Sequence, residues 1–221
     1  MNNTGAVAFR ASLTGGRASS GIFVSSGGVI TPVVLSGQVA PGTGGGRFSN
    51  FGAPSINDHG SIVFQASIEG GSRGQGLFIA RNGTIRPIAL TGEIAPGTAG
   101  KTFISFFQPL INNNDAVAFQ ATLPSRAPNP FSFEERLFLA VGDMILPVAL
   151  QGQEAPGTGG GIFSRFSPDV RIIQFPILSP MVFTARFSLD DSNAVAFTAE
   201  VTGGTVASAI FLATPTERRA L

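Results

Sequence analysis

One block of residues recurs through this chain at nearly fixed spacing, and that repetition limits the fold more than any other feature. Ala6-Val7-Ala8-Phe9-Arg10-Ala11 returns as Ser61-Ile62-Val63-Phe64-Gln65-Ala66, as Ala116-Val117-Ala118-Phe119-Gln120-Ala121 and as Ala194-Val195-Ala196-Phe197-Thr198-Ala199. The four phenylalanines lie 55, 55 and 78 residues apart. A second column is Phe23, Phe78, Phe138 and Phe211, and a third is Pro32, Pro87 and Pro147. Ala-Pro-Gly-Thr begins at Ala40, Ala95 and Ala155, and Phe48/Phe51, Phe103/Phe106 and Phe163/Phe166 close each unit. A period of this size implies one supersecondary unit per repeat, stacked on its neighbours. The repeats run 2–56, 57–111 and 112–189, with a partial fourth over 190–214. Repeat 3 carries insertions near 124–130 and 167–188, and insertions of this kind map to surface loops.

Each repeat reads as four short strands. Val7, Phe9, Ala11 and Leu13 alternate with smaller or polar residues, as do Ile62, Phe64, Ala66 and Ile68 in the next copy. This period of two is the strand signal, and no helical period is sustained. The first strand is entered through Asn2-Asn3-Thr4-Gly5, Asn57-Asp58-His59-Gly60, Asn112-Asn113-Asn114-Asp115 and Asp190-Asp191-Ser192-Asn193. The fourth position of each turn holds a residue type that tolerates positive φ. Ser25-Ser26-Gly27-Gly28, Arg81-Asn82-Gly83 and Val141-Gly142-Asp143 read as tight hairpins. The predicted fold is all-β: a β-propeller-like array of four-stranded antiparallel blades, about three and a half repeats long. A β-trefoil or another repetitive β fold is the alternative. Strands one to four of each copy are expected to form one sheet, and half units at the ends would leave open edges that invite self-association.

Composition enters as a set of exclusions. The chain has no Cys, and His59 is its only histidine, which removes disulfides and Cys- or His-rich metal centres. No apolar run reaches the length of a membrane-spanning helix. A net charge of +1 gives no electrostatic footprint for nucleic acid. Met1-Asn2-Asn3-Thr4 has neither a charged nor an apolar stretch of the signal-peptide kind, and Thr214 to Leu221 has no apolar tail.

The frame Asn-Asp-x-Gly-x-Val-Ala-Phe-x-Ala, Gly-Ile-Phe, Pro-Val-x-Leu-x-Gly-Gln-x-Ala-Pro-Gly-Thr-Gly-Gly resembles tandem repeats of bacterial secreted surface proteins of the exosortase-sorted (PEP-CTERM) type. The resemblance covers nearly all of residues 2–213 and implies an exported, propeller-like module at the cell surface. It carries no catalytic residues.

The chemistry candidates are few. Ala95-Pro96-Gly97-Thr98-Ala99-Gly100-Lys101-Thr102 approximates a phosphate loop, but Phe103-Ile104-Ser105-Phe106 follows where a helix would be needed, so it reads as a Gly-rich turn. His59 reads as a solvated turn residue. The oxygen-rich turns at Asp58 and Asp115 suit Ca²⁺ in residue type, and the plainer reading is hydrogen-bonded turn capping. No catalytic residue is assigned. In an antiparallel meander, the links between strands one and two share an end with the links between strands three and four. Any ligand, a glycan or a surface protein, is therefore expected on the face bearing Gln38, Thr43, Glu93, Thr98, Gln153 and Thr158. The competing reading is that these loops only make the same turn three times. The functional expectation is a non-enzymatic extracellular scaffold or binding unit within a longer array. The alternative is a propeller-scaffold carbohydrate-active enzyme, a hydrolase or lyase.

Overall fold

A computed structural model describes residues 1–107, 109–125, 133–166 and 187–214. Most of both insertions, with Arg126, Asp169 and Arg218-Arg219, lies outside the described residues. The chain is all-β, and its strands form four antiparallel sheets in chain order. Sheet 1 is β1 (Val7–Ser12), β2 (Ser20–Ser26) and β3 (Val29–Leu35). Sheet 2 comprises β4 (Arg47–Phe51), β5 (Ser55–Ile56), β6 (Ile62–Glu69), β7 (Gln75–Arg81) and β8 (Thr84–Leu90). Sheet 3 repeats it with β9 (Ser105–Phe106), β10 (Leu110–Ile111), β11 (Val117–Pro124), β12 (Phe133–Val141) and β13 (Met144–Leu150). Sheet 4 holds β14 (Ile162–Arg165), β15 (Phe187–Leu189), β16 (Val195–Thr202) and β17 (Ser208–Ala213).

The sheets are offset by one strand from the sequence repeat, which corrects the expectation that each copy folds into its own sheet. Strand four of one copy crosses over and pairs with strand one of the next: β4 and β5 pair with different halves of β6, and β9 and β10 with halves of β11. Packing explains the offset. Phe48 and Phe51 of copy one lie against Phe64 of copy two, and Phe48 meets Phe78 edge to face at 4.9 Å. All four rings are at most 2% exposed. In sheet 1, which has no such crossing strand, the equivalent pair Phe9 and Phe23 stays half-buried. Full burial of one such side chain contributes roughly 1.5–3 kcal/mol. The same quartet forms from Phe103, Phe106, Phe119 and Phe138, and again from Phe163, Phe166, Phe197 and Phe211.

The constant interval from the second Phe to Pro also has a geometric cause. Phe23, Phe78 and Phe138 sit opposite Pro32, Pro87 and Pro147 across the hairpin, and the register slips beside each Phe. Proline offers no N–H to a ladder, so it belongs on a sheet's outer strand. That is where β3, β8 and β13 run.

The sheets stack face to face in sequence. The aromatic face of sheet 2 covers Ile22 and Val34 of sheet 1, that of sheet 3 covers Val63, Leu77 and Ala89, and that of sheet 4 covers Leu137, Leu139 and Ala149. Each joint therefore sets one sheet's phenylalanines on the preceding sheet's aliphatic side. No described helix is long and apolar enough to cross a membrane.

Candidate functional site

The most regular polar feature is a ladder built by the four Asn/Asp turns. Within each turn the first side chain caps its own backbone: Asn57 Oδ1 accepts from the His59 and Ser61 amides, and Asn112 Oδ1 from those of Asn114 and Ala116. The amide end of the same side chain then reaches the next copy. Asn2 Nδ2 donates to the Asn57 carbonyl (2.9 Å), Asn57 Nδ2 to the Asn112 carbonyl (2.9 Å) and Asn112 Nδ2 to the Asp190 carbonyl (2.7 Å). Asn57 also donates to Asp115 Oδ1, and Asn112 to Asn193 Oδ1. Asp115 and Asn193 hold φ of 59° and 67°, where the sequence called for residues tolerant of the left-handed region.

The second turn position forms a parallel column, Asn3, Asp58, Asn113 and Asp191, in which amide and carboxylate alternate. The Asn3 amide and Nδ2 both donate to Asp58, the Asp58 amide donates to Asn113 Oδ1, and the Asn113 amide donates to Asp191 Oδ1. Hydrogen bonds from the Asn3 backbone and side chain hold the Asp58 carboxyl below its ordinary range. Asp190 is held low in the same way by Ser192 and by the Ala194 amide.

The two residues weighed for calcium have protein partners. Asp58 is bonded as above, while Asp115 accepts from Asn57 and pairs with Arg81 at 2.7 Å. Among the described residues, no three His, Asp or Glu side chains gather to hold a metal ion.

The opposite end carries the residues expected to face a ligand. The strand-one-to-two links and the Ala-Pro-Gly-Thr loops do meet there: the Thr43 carbonyl accepts from the Ser72 amide, and the Thr158 carbonyl from the Thr205 amide. The side chains themselves are occupied in shaping the loops. Thr43, Thr98 and Thr158 are buried, and each hydroxyl donates to the carbonyl three residues back, at Ala40, Ala95 and Ala155. Gln38, Glu93 and Gln153 accept the amides of Leu35, Leu90 and Leu150 at 2.8–3.1 Å.

Lys101, the lysine of the apparent phosphate loop, also has a structural explanation. In two of the joints a glycine of the loop meets a glycine of the next copy's link. A Cβ on Gly71 would lie 2.8 Å from Gly46 Cα, and one on Gly161 would lie 2.9 Å from Gly204 Cα. In the joint between, the link has lost its Gly-Gly to the 124–130 insertion, and the facing loop position is Lys101 instead of glycine. Lys101 pairs with Glu134, which also takes Arg136. Burial pushes the Glu134 carboxyl upward, and the hydrogen bonds from Lys101 and Arg136 outweigh it and hold the group low.

Between sheets 3 and 4 lies an open cleft of about 480 Å³, whose lining includes Ser105, Thr122, Glu135, Gln151 and Arg165. Burial raises the Glu135 carboxyl above its ordinary value, against the opposing pull of Arg165, and its Oε2 has no hydrogen-bond partner. The sequence analysis gave Glu135 no role. The signal available was its position in β12, a few residues past the 124–130 insertion in the one strand-one-to-two link that departs from the repeat.

Residues 1–174 match the model of a family of unknown function (DUF7453). No curated protein and no solved structure matches the chain.

Proposed function

The chain belongs to the DUF7453 family of unknown function, and we propose that it is a non-enzymatic β-repeat module serving as a surface scaffold or binding unit. The observation that carries this reading is the fate of the recurring polar residues. Asn2, Asn57 and Asn112 join one copy to the next, and Thr43, Thr98 and Thr158 close their own loops. What recurs in the repeat is thus the chemistry of stacking. We read the arrangement as propeller-like, with the strand contributed by the preceding copy innermost in each sheet. The adjacency of β5, β10 and β15 from one sheet to the next supports this. The resemblance of its repeats to those of secreted surface proteins supports a location outside the cell, as part of a longer repeat array.

The test is a glycan and peptide array probed with the intact protein, alongside polysaccharide turnover assays. Binding without product release is the expected result. Release of reducing or unsaturated ends, abolished by Glu135→Gln, would establish the enzymatic alternative, which the raised Glu135 carboxyl in its cleft favours. Protease shaving of intact cells checks the location.

A further inference from the structure

At the cleft between sheets 3 and 4 the repeat exchanges the side chains that occupy the preceding joint. One joint back, between sheets 2 and 3, Arg73 Nη1 donates to the Thr91 carbonyl at 2.9 Å, and Gln75 Oε1 accepts the Phe106 amide at 2.7 Å. In the next copy Phe133 stands for Arg73, Gln151 for Thr91, Glu135 for Gln75 and Arg165 for Ser105. Arg136, at the position of Gly76, takes over the bond to the carbonyl of residue 151. Position 133 is thereby released from that bond, and its phenylalanine lines the cleft at 54% exposure. Glu135 keeps the structural part of its position, since it accepts the Phe166 amide as Gln75 accepts that of Phe106. Phe133, Gln151 and Arg165 do not repeat what their counterparts do.

We propose that this cleft binds a segment of a neutral oligosaccharide. Its volume of about 480 Å³ falls within the roughly 300–1,000 Å³ of small-ligand sites. Its polar groups suit a ligand that carries many hydroxyls. Arg165 is exposed and, among the described residues, makes no salt bridge, so its guanidinium has donors to give. Gln151 uses Oε1 to accept the Glu135 amide at 3.3 Å, which leaves Nε2 as a donor. The hydroxyls of Ser105 and Thr122 lie 2.5 Å apart in the same lining, and such groups both donate and accept. The exposed ring of Phe133 offers an apolar face for the C–H side of a sugar ring to cover. The charges select against a polyanion. Arg165 lies opposite Glu200 in the β14–β16 pair and also acts on Glu135, so the cleft holds no surplus positive charge. Glu135 Oε2 is covered from solvent, so ligand contact falls to its neighbours.

The inference rests on the binding-unit reading and names its site and ligand class. The test is isothermal titration calorimetry of the intact protein with cellohexaose, laminarihexaose, mannohexaose and xylohexaose, and with a hexagalacturonate as the anionic probe. At least one neutral hexasaccharide should bind, and the hexagalacturonate should not. Phe133→Ala and Arg165→Ala should each weaken that binding about tenfold, the loss of one good contact. Phe133→Arg, which restores the residue of the preceding copy, should abolish it. Val39→Ala, exposed at the same end but outside the cleft, should bind as the wild type does. The side chains of Phe133 and Arg165 are exposed, and unchanged melting temperatures verify that the variants are folded. Sugar binding that Phe133→Ala and Arg165→Ala leave intact would overturn the cleft as the site while the binding-unit reading stood. Binding of the hexagalacturonate alone, or of none of the probes, would overturn the assignment to a neutral sugar. Cleavage of a hexasaccharide that Arg165→Ala also loses would place the sugar in this cleft and overturn the non-enzymatic reading instead.

Discussion

Asn113 stands between two carboxylates and donates Nδ2 to both, to Asp58 Oδ2 at 3.0 Å and to Asp191 Oδ2 at 3.1 Å. Three copies of the repeat meet at this one side chain. The neighbouring column places Asn112 likewise, but buried at 5% exposure, with Nδ2 shared between the Asp190 carbonyl and Asn193 Oδ1. Removing either donor loosens one sheet from the next while leaving each sheet's own ladder intact.

Asn112→Ala should therefore destabilise the protein by about 1–3 kcal/mol, because it leaves buried polar groups without partners. Asn112→Asp should be the more damaging change, since it turns a carboxylate toward the Asp190 carbonyl. Urea unfolding at neutral pH measures both. Equal stability of the wild type and Asn112→Ala would mean that the inter-copy bond contributes nothing net.

The acid limb of the stability profile follows from Asp58 and Asp190. Both carboxyls are held below the ordinary value of 3.8 by hydrogen bonds donated to them. A folded-state value below the unfolded one gives stability that is fully present above the unfolded value and lost as pH falls through the folded one. Melting temperature should accordingly hold through mildly acidic pH and drop below about pH 4. Asp58→Asn should start lower at neutral pH and lose less on acidification. A variant with the same slope as wild type would remove Asp58 from the acid transition.

The ladder also shows where sequence reasoning reached its limit. Strands, hairpins and turns were legible because alternation, Gly and Asn/Asp are local signals, and Asn82, Asp115 and Asn193 do take positive φ. The sheet offset was not, because a repeat can be cut at any phase, and Phe9/Phe23 on one side and Phe64/Phe78 on the other offer β4 the same residue pattern. The Asn turns were read as caps, which they are. Their second role joins residues 55 apart, and the trace it leaves in the sequence is the retention of Asn itself at positions 2, 57 and 112. Thr43, Thr98 and Thr158 recur for a local reason that the Ala-Pro-Gly-Thr motif does not display, a hydroxyl bonded to the carbonyl three residues back.

The glycine joint gives a steric prediction. A Cβ on Gly71 would stand 2.5 Å from the Thr43 carbonyl oxygen and 2.8 Å from Gly46 Cα, both backbone atoms that cannot swing aside. Gly71→Ala should cost about 1–3 kcal/mol, the range for overpacking a close contact. Gly16, at the matching position of copy one, has open space around it, and Gly16→Ala should be close to neutral. Chemical denaturation of the two variants side by side is the check. A similar loss in both would trace the effect to the backbone preference of Gly rather than to the joint.

Glu135 gives a prediction of opposite sign. Its carboxyl is raised above the ordinary 4.5 by burial in the cleft between sheets 3 and 4, with Arg165 pulling the other way and Glu200 adding to the rise. A group whose folded value is raised contributes stability that is fully present below the unfolded value and lost as pH climbs through the folded one. Burial thus disfavours the charged form of Glu135; the hydrogen bond from the Phe166 backbone offsets this only in part, and Oε2 has no partner. Glu135→Gln keeps the shape and removes the charge. The variant should melt above the wild type at pH 7, and the gap should close as pH is lowered toward 4, where the wild-type carboxyl is neutral too. Melting temperatures at pH 4, 5, 6 and 7 test this. A wild type more stable than the variant at pH 7 would show that attraction to Arg165 outweighs burial, and the carboxyl would then be an anchored anion rather than an acid held close to its proton.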